Sequence, residues 1–406
     1  MPKYFVGIDV SLNTIDICVI DTEQKIIKQK RFTQNKEGFN EIFSLLHTLG
    51  NPQDLAIGIE STGNYHINIL HFLNKKTYNV TLINPLLIKK FLQSTTLRKT
   101  KTDKISAKII ALYLLRNPDK IKKDTTYDTV KLLARECEKL AQEIAKLKNK
   151  IKQITFNIFT ELTHKYNIFT KTFLEFLLEV PSARCARELG EERIAIIINR
   201  ISQKKGPKLP LTAEEIVEIV NNTISIDDPN REEILKSSIR RLFQLEEEFS
   251  RLKIKLIKEA KNNYPEQMKI LTSIPGIGEL TAASFISEIP TINAMPNYKK
   301  VIAISGIDPV IQESGKFKGQ YKISKHGNRH LRRTLWQITM GTILHTNMFR
   351  IYYKRKREEG MKHKKAIIAT ANKLLRILFT LLIRKTTFCD TPHPESPPIS
   401  VPIFHS

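Results

Sequence analysis

The chain has 406 residues, of which 41% are hydrophobic, and this is enough for two or three globular domains with ordinary buried cores. Such a composition excludes a fibre. Lysine and arginine total 66 against 41 acidic residues, a formal charge of +25, so the surface is expected to attract polyanions, with nucleic acid the first candidate. The four cysteines lie far apart, which favours a reducing compartment over a disulfide framework or a zinc site.

Neither end of the chain predicts secretion or membrane insertion. The first residues run directly into a strand-like segment, Tyr4 to Ile8, without the layout of a signal peptide. The most apolar late stretch, residues 366–383, contains Lys373 and Arg376, so we interpret it as a packing helix. We therefore expect a cytoplasmic protein with no membrane partner.

The first 120 residues or so alternate strand and helix signals, which predicts an α/β domain. Strand-like apolar runs occupy residues 4–8, 15–20, 55–59 and 80–83, and helical patterns occupy about 38–49, 65–74 and 103–115.

A sustained heptad pattern follows. Apolar residues from Leu133 to Ile158 recur at alternating steps of four and three, which predicts a long coiled-coil helix. A second run, Leu235 to Leu256, is a candidate antiparallel partner, with residues 163–226 capping the far end. The alternative is a pair of ordinary bundle helices.

The last third of the chain is the most basic. Between Asn297 and Lys385 there are 21 lysines and arginines against four acidic residues. Five prolines then fall within the last 21 residues, where apolar groups are too few to form a core, so the tail is expected to be disordered.

Three carboxylates stand at positions that suit metal binding. Asp9 lies at the end of the first strand, Glu60 ends another buried strand, and Asp103 stands where a helix is expected to begin. Singly, each has an ordinary structural role, such as an acid favoured by the helix dipole for Asp103. Together they predict a site for Mg²⁺ or Mn²⁺ that serves phosphoryl chemistry, because carboxylates are the preferred ligands of these hard cations.

Two segments of the basic region could contact nucleic acid. Residues 273–278, with Gly276 and Gly278, resemble the turn of a helix-hairpin-helix, whose glycines let backbone N–H groups approach a phosphate; a plain glycine turn is the alternative. Further candidate contacts are basic residues downstream of that turn: Lys316, Lys318, Lys325, Arg329, Arg332 and Arg333.

Ser314 is a candidate nucleophile. It is followed by Gly315 and stands among lysines, a setting that suits a hydroxyl aimed at a phosphodiester. On local grounds alone, a Ser-Gly pair is usually a surface turn.

The motifs taken together resemble a known family. The Gly-Ile-Asp strand, the Glu-Ser-Thr-Gly-Asn-Tyr turn, Asn84-Pro85, the Lys-Thr-Asp segment, Ile-Pro-Gly-Ile-Gly and Glu-Ser-Gly before Gly-Asn-Arg-His-Leu-Arg-Arg occur in order over about residues 4–385. This succession resembles the DEDD transposases of bacterial insertion sequences, which include the pilin-gene inverting recombinases and are known as bridge-RNA-guided serine recombinases.

The resemblance implies a fold and a domain order. It implies a RuvC-like, RNase H-like α/β domain first, then long coiled-coil helices, then a mainly α-helical transposase domain that carries a catalytic serine. The expected boundaries are 1–125 for the RuvC-like domain, 126–262 for the coiled coil with its inserted helical cap, 263–386 for the transposase domain and 387–406 for the tail.

It also implies roles for single residues. Asp9, Glu60 and Asp103 match the family's first three acids, and Ser314 matches its serine nucleophile. The fourth acid lies one helical turn after the third in the family, whereas this chain has Ser106 there, a change that removes one negative charge from the metal site.

The implied function is DNA transposition or recombination by a Mg²⁺-assisted serine nucleophile. The implied partners are DNA, a guide RNA and further copies of the chain in a dimer or tetramer. Two alternatives remain open: a junction-type nuclease that uses water, and a decayed copy that only binds nucleic acid, which Ser106 would favour.

Overall fold

The structure is a computed structural model, and it divides the chain into two compact units, Met1–Asp128 and Thr129–Ser406. The residues that it describes are 2–61, 63–95, 103–121, 129–203, 208–289, 292, 295–310, 313–314, 317–318 and 322–389.

The first unit is built on a mixed five-stranded sheet. Its strands are β1 (Tyr4–Val10), β2 (Thr14–Asp21), β3 (Ile26–Thr33), β4 (Leu55–Glu60) and β5 (Val80–Ile83), arranged in the order β3-β2-β1-β4-β5. The first three strands are antiparallel neighbours, whereas β4 and β5 run parallel to β1. The ends of β1 and β4 therefore lie side by side at one edge.

Helices cover both faces of this sheet. They are α1 (Lys36–Leu49), α2 (Ile67–Lys75), α3 (Pro85–Thr95) and α4 (Asp103–Arg116). One face, with Val6 and Ile8 of β1, shares a core with α1 and α2, and the other, with Phe5 of β1, shares a core with α3 and α4. The predicted α/β domain is confirmed.

Two elements of this unit were not predicted. Strand β3 carries lysine, glutamine and arginine side chains and buries only Phe32, so its hydrophobic pattern is weak. Its strand geometry comes from pairing with β2. Helix α3 was not predicted either.

The second unit is mostly helical. Its elements are α5 (Thr129–Ile158), α6 (Thr160–Lys165), α7 (Lys171–Glu179), α8 (Ala183–Ser202), α9 (Ala213–Asn221), α10 (Pro229–Asn263), α11 (Pro265–Thr272), α12 (Glu279–Glu288), α13 (Tyr298–Ser305), β6 (Pro309–Val310), β7 (Glu313–Ser314), β8 (Phe317–Lys318), β9 (Lys322–Ile323), α14 (Arg329–His345), α15 (Asn347–Glu358) and α16 (His363–Arg384).

Helices α5 and α10 carry the two heptad runs and pack against each other in opposite directions. Leu133, near the start of α5, shares a core with Leu256, near the end of α10, and Ile151 shares another core with Leu235. Helices α6 to α9 pack into that second core. The heptad residues near the ends of the pair are thus buried within one chain, whereas those in the middle, such as Leu147 and Leu245, are half-buried. Coiled-coil geometry stays a prediction.

The remaining helices enclose the core shared by α11 to α16 with one end of α5 and α10. By length and composition α16 is apolar enough to cross a membrane, with 44% of its most apolar window buried. Leu374, Leu375 and Leu378 are fully buried in the core of this unit, which is the packing role that its sequence predicts.

Candidate functional site

Asp9 and Glu60 lie next to each other on adjacent parallel strands. The register pairs Ile8 with Ile59, so the residue that follows each occupies the next position along the sheet. Because side chains alternate between the faces of a sheet, both carboxylates point to the same face, and neighbouring strands are about 4.8 Å apart. The two predicted acids are therefore brought together.

Helix α4 crosses this same face in close contact with the strands. A Cβ atom on Gly7 would lie 2.0 Å from the carbonyl oxygen of Ala107 and 2.6 Å from the amide nitrogen of Ala111. On Gly58 it would lie 2.8 Å from Leu114 Cδ1. Only glycine allows the helix backbone to approach β1 so closely.

This approach positions the first turns of α4. Asp103 is the first residue of the helix, as predicted, and its side chain lies outside the described part of the structure. Ser106 is buried, at 5% exposure, immediately before the alanine that touches Gly7. That the side chain of Asp103 lies close to those of Asp9 and Glu60 stays a prediction.

A further acid that sequence reasoning missed lies across from Asp9. Asp16 of β2 pairs in register with Asp9 and with Arg31 of β3, and it is 4% exposed. Arg31 forms a salt bridge with it, with Nη2 2.9 Å from Oδ2 and Nε 3.0 Å from the same oxygen. Counting residues across the β1–β2 hairpin could have found Asp16, because an acid opposite Asp9 shares its face.

The carboxylate of Glu60 is largely buried, but its oxygens are not among the fully enclosed polar atoms that lack a partner. Its side chain is buried, with the residue 7% exposed, and within the described part of the chain it has no hydrogen bond and no ion pair. Because its oxygens are not enclosed and have no partner among the described residues, the carboxylate is open to a cation from outside. The adjacent pair of carboxylates offers oxygen donors that fit Mg²⁺ or Mn²⁺.

No group of three or more His, Cys, Asp or Glu side chains placed to hold a metal ion occurs among the residues that the structure describes. The side chain of the third predicted ligand, Asp103, lies outside the described part of the structure. Asp9 and Glu60 are thus the described portion of the predicted site.

The glycine turn of the second unit lies between α11 and α12. Gly276 has φ of +95°, and a Cβ atom there would lie 2.3 Å from the carbonyl oxygen of Gly341 in α14. Its lack of a side chain therefore serves packing against α14. Gly278 is the N-cap of α12, and a Cβ atom on it would meet nothing within 4 Å, so its surroundings leave room for a phosphate.

Ser314 ends a two-residue strand. Strand β7 is antiparallel to β8 and places Ser314 opposite Phe317, while β6 pairs with β9. The side chains of Ser314 and Lys318, and Lys316 altogether, lie outside the described part of the structure. What the hydroxyl of Ser314 contacts is thus a prediction.

The remaining predicted nucleic-acid contacts divide into two kinds. Lys325 and Arg329 are exposed. Arg332 donates from Nη1 to the carbonyl oxygen of Ser305 at 3.0 Å, and Nε of Arg333 lies 3.6 Å from the carboxylate of Glu138. The guanidinium groups of Arg332 and Arg333 thus already have partners within the protein.

Glu288, at the end of α12, is a buried acid that sequence reasoning did not single out. Arg135 donates to both its oxygens, at 2.8 and 3.1 Å, and Asn328 Nδ2 donates at 2.5 Å. Burial by itself would raise the pKa of this carboxyl, but the hydrogen bonds from Arg135 and Asn328 and the charge of Lys131 outweigh burial and lower it.

The same asparagine begins α14. Its Oδ1 accepts the backbone N–H groups of His330, at 2.9 Å, and Leu331, at 3.2 Å, as an N-cap. Glu288 therefore fixes the start of the helix that directly follows the Ser314 segment. A buried acid at a helix end gives no sequence signal of its own, so only the packing reveals it.

Comparison with known proteins gives consistent matches. Residues 6–160 match a family described as a transposase, and residues 268–354 match the transposases of the IS116/IS110/IS902 family. The pilin gene-inverting proteins of Moraxella bovis and Moraxella lacunata are 21% and 22% identical over 96% of this chain and 98% of their own. A protein of insertion element IS116 from Streptomyces clavuligerus is 18% identical over 96% of this chain and 97% of its own.

Proposed function

Because this chain belongs to the IS116/IS110/IS902 family of transposases and is thus a DNA recombination enzyme, we propose that it cuts and rejoins DNA through Ser314 with the help of a carboxylate site in its first unit. One observation carries the proposal most directly. Glu60 is buried beside Asp9 and has no partner in the described part of the chain.

The sheet supports a nuclease-type fold for the first unit. Three antiparallel strands followed by two parallel ones, in the order β3-β2-β1-β4-β5, is the arrangement of an RNase H-like, RuvC-like domain. Asp9 and Glu60 stand at the ends of β1 and β4, and α4 packs against the same face of the sheet.

Asp9, Glu60 and Asp103 are the residues that would hold Mg²⁺ or Mn²⁺. The ion would offset the negative charge of a scissile phosphate and of the oxygen that leaves it. Ser106, in place of the fourth acid, lowers the negative charge of the site. Its burial beside Ala107 gives it a packing role as well.

Ser314 supplies the nucleophile in this proposal. Its Oγ attacks the phosphorus, a bond from Oγ to phosphorus forms, and the bond from phosphorus to one sugar oxygen breaks, with the proton passing to that oxygen. A hydroxyl of a second strand then attacks the phosphoserine, restores the serine and joins the strands. Phosphodiester bonds are conserved, so no further energy source is required.

The proposed assembly includes DNA, a guide RNA and more than one chain. Ser314 and the acids belong to different compact units, and we propose that they act on the same phosphate within this assembly. The excess of basic residues after Asn297 supports binding to the DNA backbone. We propose that base pairing with the guide selects the sequence.

The test is strand exchange between labelled DNA duplexes with Mg²⁺, together with detection of a covalent protein–DNA adduct. Wild type should give both, Ser314→Ala neither, and Ser314→Cys is the matched nucleophile control. Asp9→Asn should remove both as well.

Two outcomes would contradict the proposal. Cleavage that persists in Ser314→Ala without an adduct would identify a nuclease that uses water. DNA binding without cleavage or adduct in any variant, wild type included, would identify a decayed copy.

A further inference from the structure

Three cations converge on one aromatic ring in the second unit. Lys373 Nζ of α16 lies 4.6 Å from the centroid of Tyr352 in α15, and Arg355 and Lys356, one turn further along α15, lie at 5.1 and 5.6 Å. Each contact is attractive, because the face of the ring is electron-rich. The three positive charges, however, repel one another.

The next turn of α16 extends this arrangement. The guanidinium of Arg376 lies 5.0 Å from the centroid of Tyr298 in α13. Lys373 and Arg376 are three residues apart and therefore share one face of α16. We call the resulting strip the basic track; it consists of Tyr298, Tyr352, Arg355, Lys356, Lys373 and Arg376.

Acidic groups neutralise only one end of the basic track. Glu359 Oε2 lies 2.6 Å from Lys356 Nζ, and its Oε1 lies 3.7 Å from Arg355 Nε. In the described part of the chain, no carboxylate lies within salt-bridge distance of Lys373 or Arg376.

Lys373 is the member of the basic track whose charged form is disfavoured by its surroundings. It is partly buried, and burial first, then the charge of Arg355, lowers the pKa of its ammonium group. A partly buried ammonium that contacts the Tyr352 ring and is repelled by the charge of Arg355 is stabilised by an anion from outside. Two cations one turn apart, neither with an acidic partner among the described residues, suit a ligand that carries successive negative charges.

The surroundings favour a polymer over a single anion. Exposed lysines flank the track on the same two helices: Lys354, Lys364 and Lys365. Tyrosine rings interleaved with cations are typical of surfaces that hold a nucleic-acid backbone.

We propose that the basic track binds the phosphodiester backbone of a nucleic acid through Lys373 and Arg376. Most of the track lies beyond residue 354, where the match to the transposase family ends. It is separate in sequence from the glycine turn and from Ser314. The inference rests on the proposed function only in its choice of nucleic acid as the polyanion.

The experiment measures binding of the full chain to labelled duplex DNA and to single-stranded RNA over a range of salt concentrations. Lys373→Gln/Arg376→Gln should weaken binding about tenfold at moderate salt and reduce the slope of log affinity against log salt by about 2 for duplex DNA, since each lost phosphate contact removes about 0.9. Weaker binding of the variant to the DNA, to the RNA or to both identifies the nucleic acid that the basic track binds.

The matched control is Arg251→Gln/Lys253→Gln, which removes one arginine and one lysine from the exposed surface of α10. It should leave the slope nearly unchanged. Lys373→Arg/Arg376→Lys, which keeps both charges, should retain the wild-type slope. If a double variant fails to fold, Arg376→Gln alone, at an exposed position, should reduce the slope by about 1.

An unchanged slope in Arg376→Gln and in the double variant, or an equal reduction in the α10 control, would overturn the inference. Strand exchange is a separate readout. A reduced slope in a protein without strand exchange would uphold the basic track and contradict the proposed function. Active strand exchange with an unchanged slope would uphold the proposed function and contradict the basic track.

Discussion

Two buried glutamates, one in each unit, make an instructive pair. Glu60 and Glu288 are almost equally buried, at 7% and 8% exposure, and both stand at the end of a secondary-structure element. Glu288 receives hydrogen bonds from Arg135 and Asn328, whereas Glu60 has no partner within the described part of the chain. Equal burial thus accompanies opposite electrostatic situations.

The difference separates a structural acid from a candidate ligand. A buried carboxylate that the protein itself neutralises contributes to stability, and removing it leaves its partners unpaired. A carboxylate that the protein leaves without a partner and does not enclose can instead take a cation from outside. Burial alone would not have distinguished the two residues.

The largest expected effect is that of Glu60→Gln on activity. Loss of a metal-binding carboxylate should lower strand exchange more than about 100-fold, beyond what loss of a supporting partner costs. The unfolding free energy without metal should change little, because the Glu60 carboxylate has no described protein partner to lose. Denaturant unfolding with and without Mg²⁺ checks this, since Mg²⁺ should stabilise wild type and not the variant. Equal Mg²⁺ stabilisation of both would contradict the assignment.

Glu288→Gln should have the opposite pattern. Loss of the charge weakens the hydrogen bonds from Arg135 and Asn328, so the unfolding free energy should fall by about 2–3 kcal/mol. Glu247→Gln, at an exposed position of α10, is the control and should change it by less than about 0.5 kcal/mol. A Glu288 variant as stable as this control would show that the network contributes nothing.

The third prediction concerns acid. The pKa of Glu288 is lowered in the folded state, so its contribution is fully present above the ordinary glutamate pKa of about 4.3 and is lost as pH falls through the lower folded value. The stability difference between wild type and Glu288→Gln should therefore shrink below about pH 4.3. Urea unfolding at a series of pH values measures it, and a difference that grows on acidification would contradict the sign.

The smallest effect is expected for Ser106→Asp. A carboxylate one turn from Asp103 should lower the Mg²⁺ concentration needed for adduct formation by about fivefold, equivalent to about 1 kcal/mol. Because Ser106 is buried, the variant should also be less stable without metal. Titration of Mg²⁺ against adduct yield gives the result, and the gain should vanish in an Asp9→Asn background. An unshifted midpoint would show that position 106 is not a ligand.

Much of the first unit was predictable because its strands are apolar runs. Periodicity located β1, β2, β4 and β5 and put Asp9 and Glu60 near strand ends. It missed β3, whose polar residues become a strand only by pairing with β2, and it missed Asp16, whose importance lies in its register opposite Asp9.

In the second unit the sequence showed where the basic residues lie, but not which of them have partners within the protein. The basic excess after Asn297 was evident, and Arg332 and Arg333 were equally plausible contacts for a phosphate. In the structure they contact Ser305 and Glu138, and their contact with a phosphate stays a prediction. The fold leaves Lys373 and Arg376, which the sequence marked only as interruptions of an apolar helix, without acidic partners among the described residues.

The sequence by itself determined the α/β character of the first unit, the family and the identity of the candidate acids, since these depend on residue type and local spacing. Only the tertiary structure decided which charges are paired. Pairing depends on groups far apart in the chain, such as Arg135 and Glu288, that meet when helices pack. Likewise, the close contact of α4 with β1 depends on the absence of a Cβ atom at Gly7, and its purpose is visible only with the helix in place.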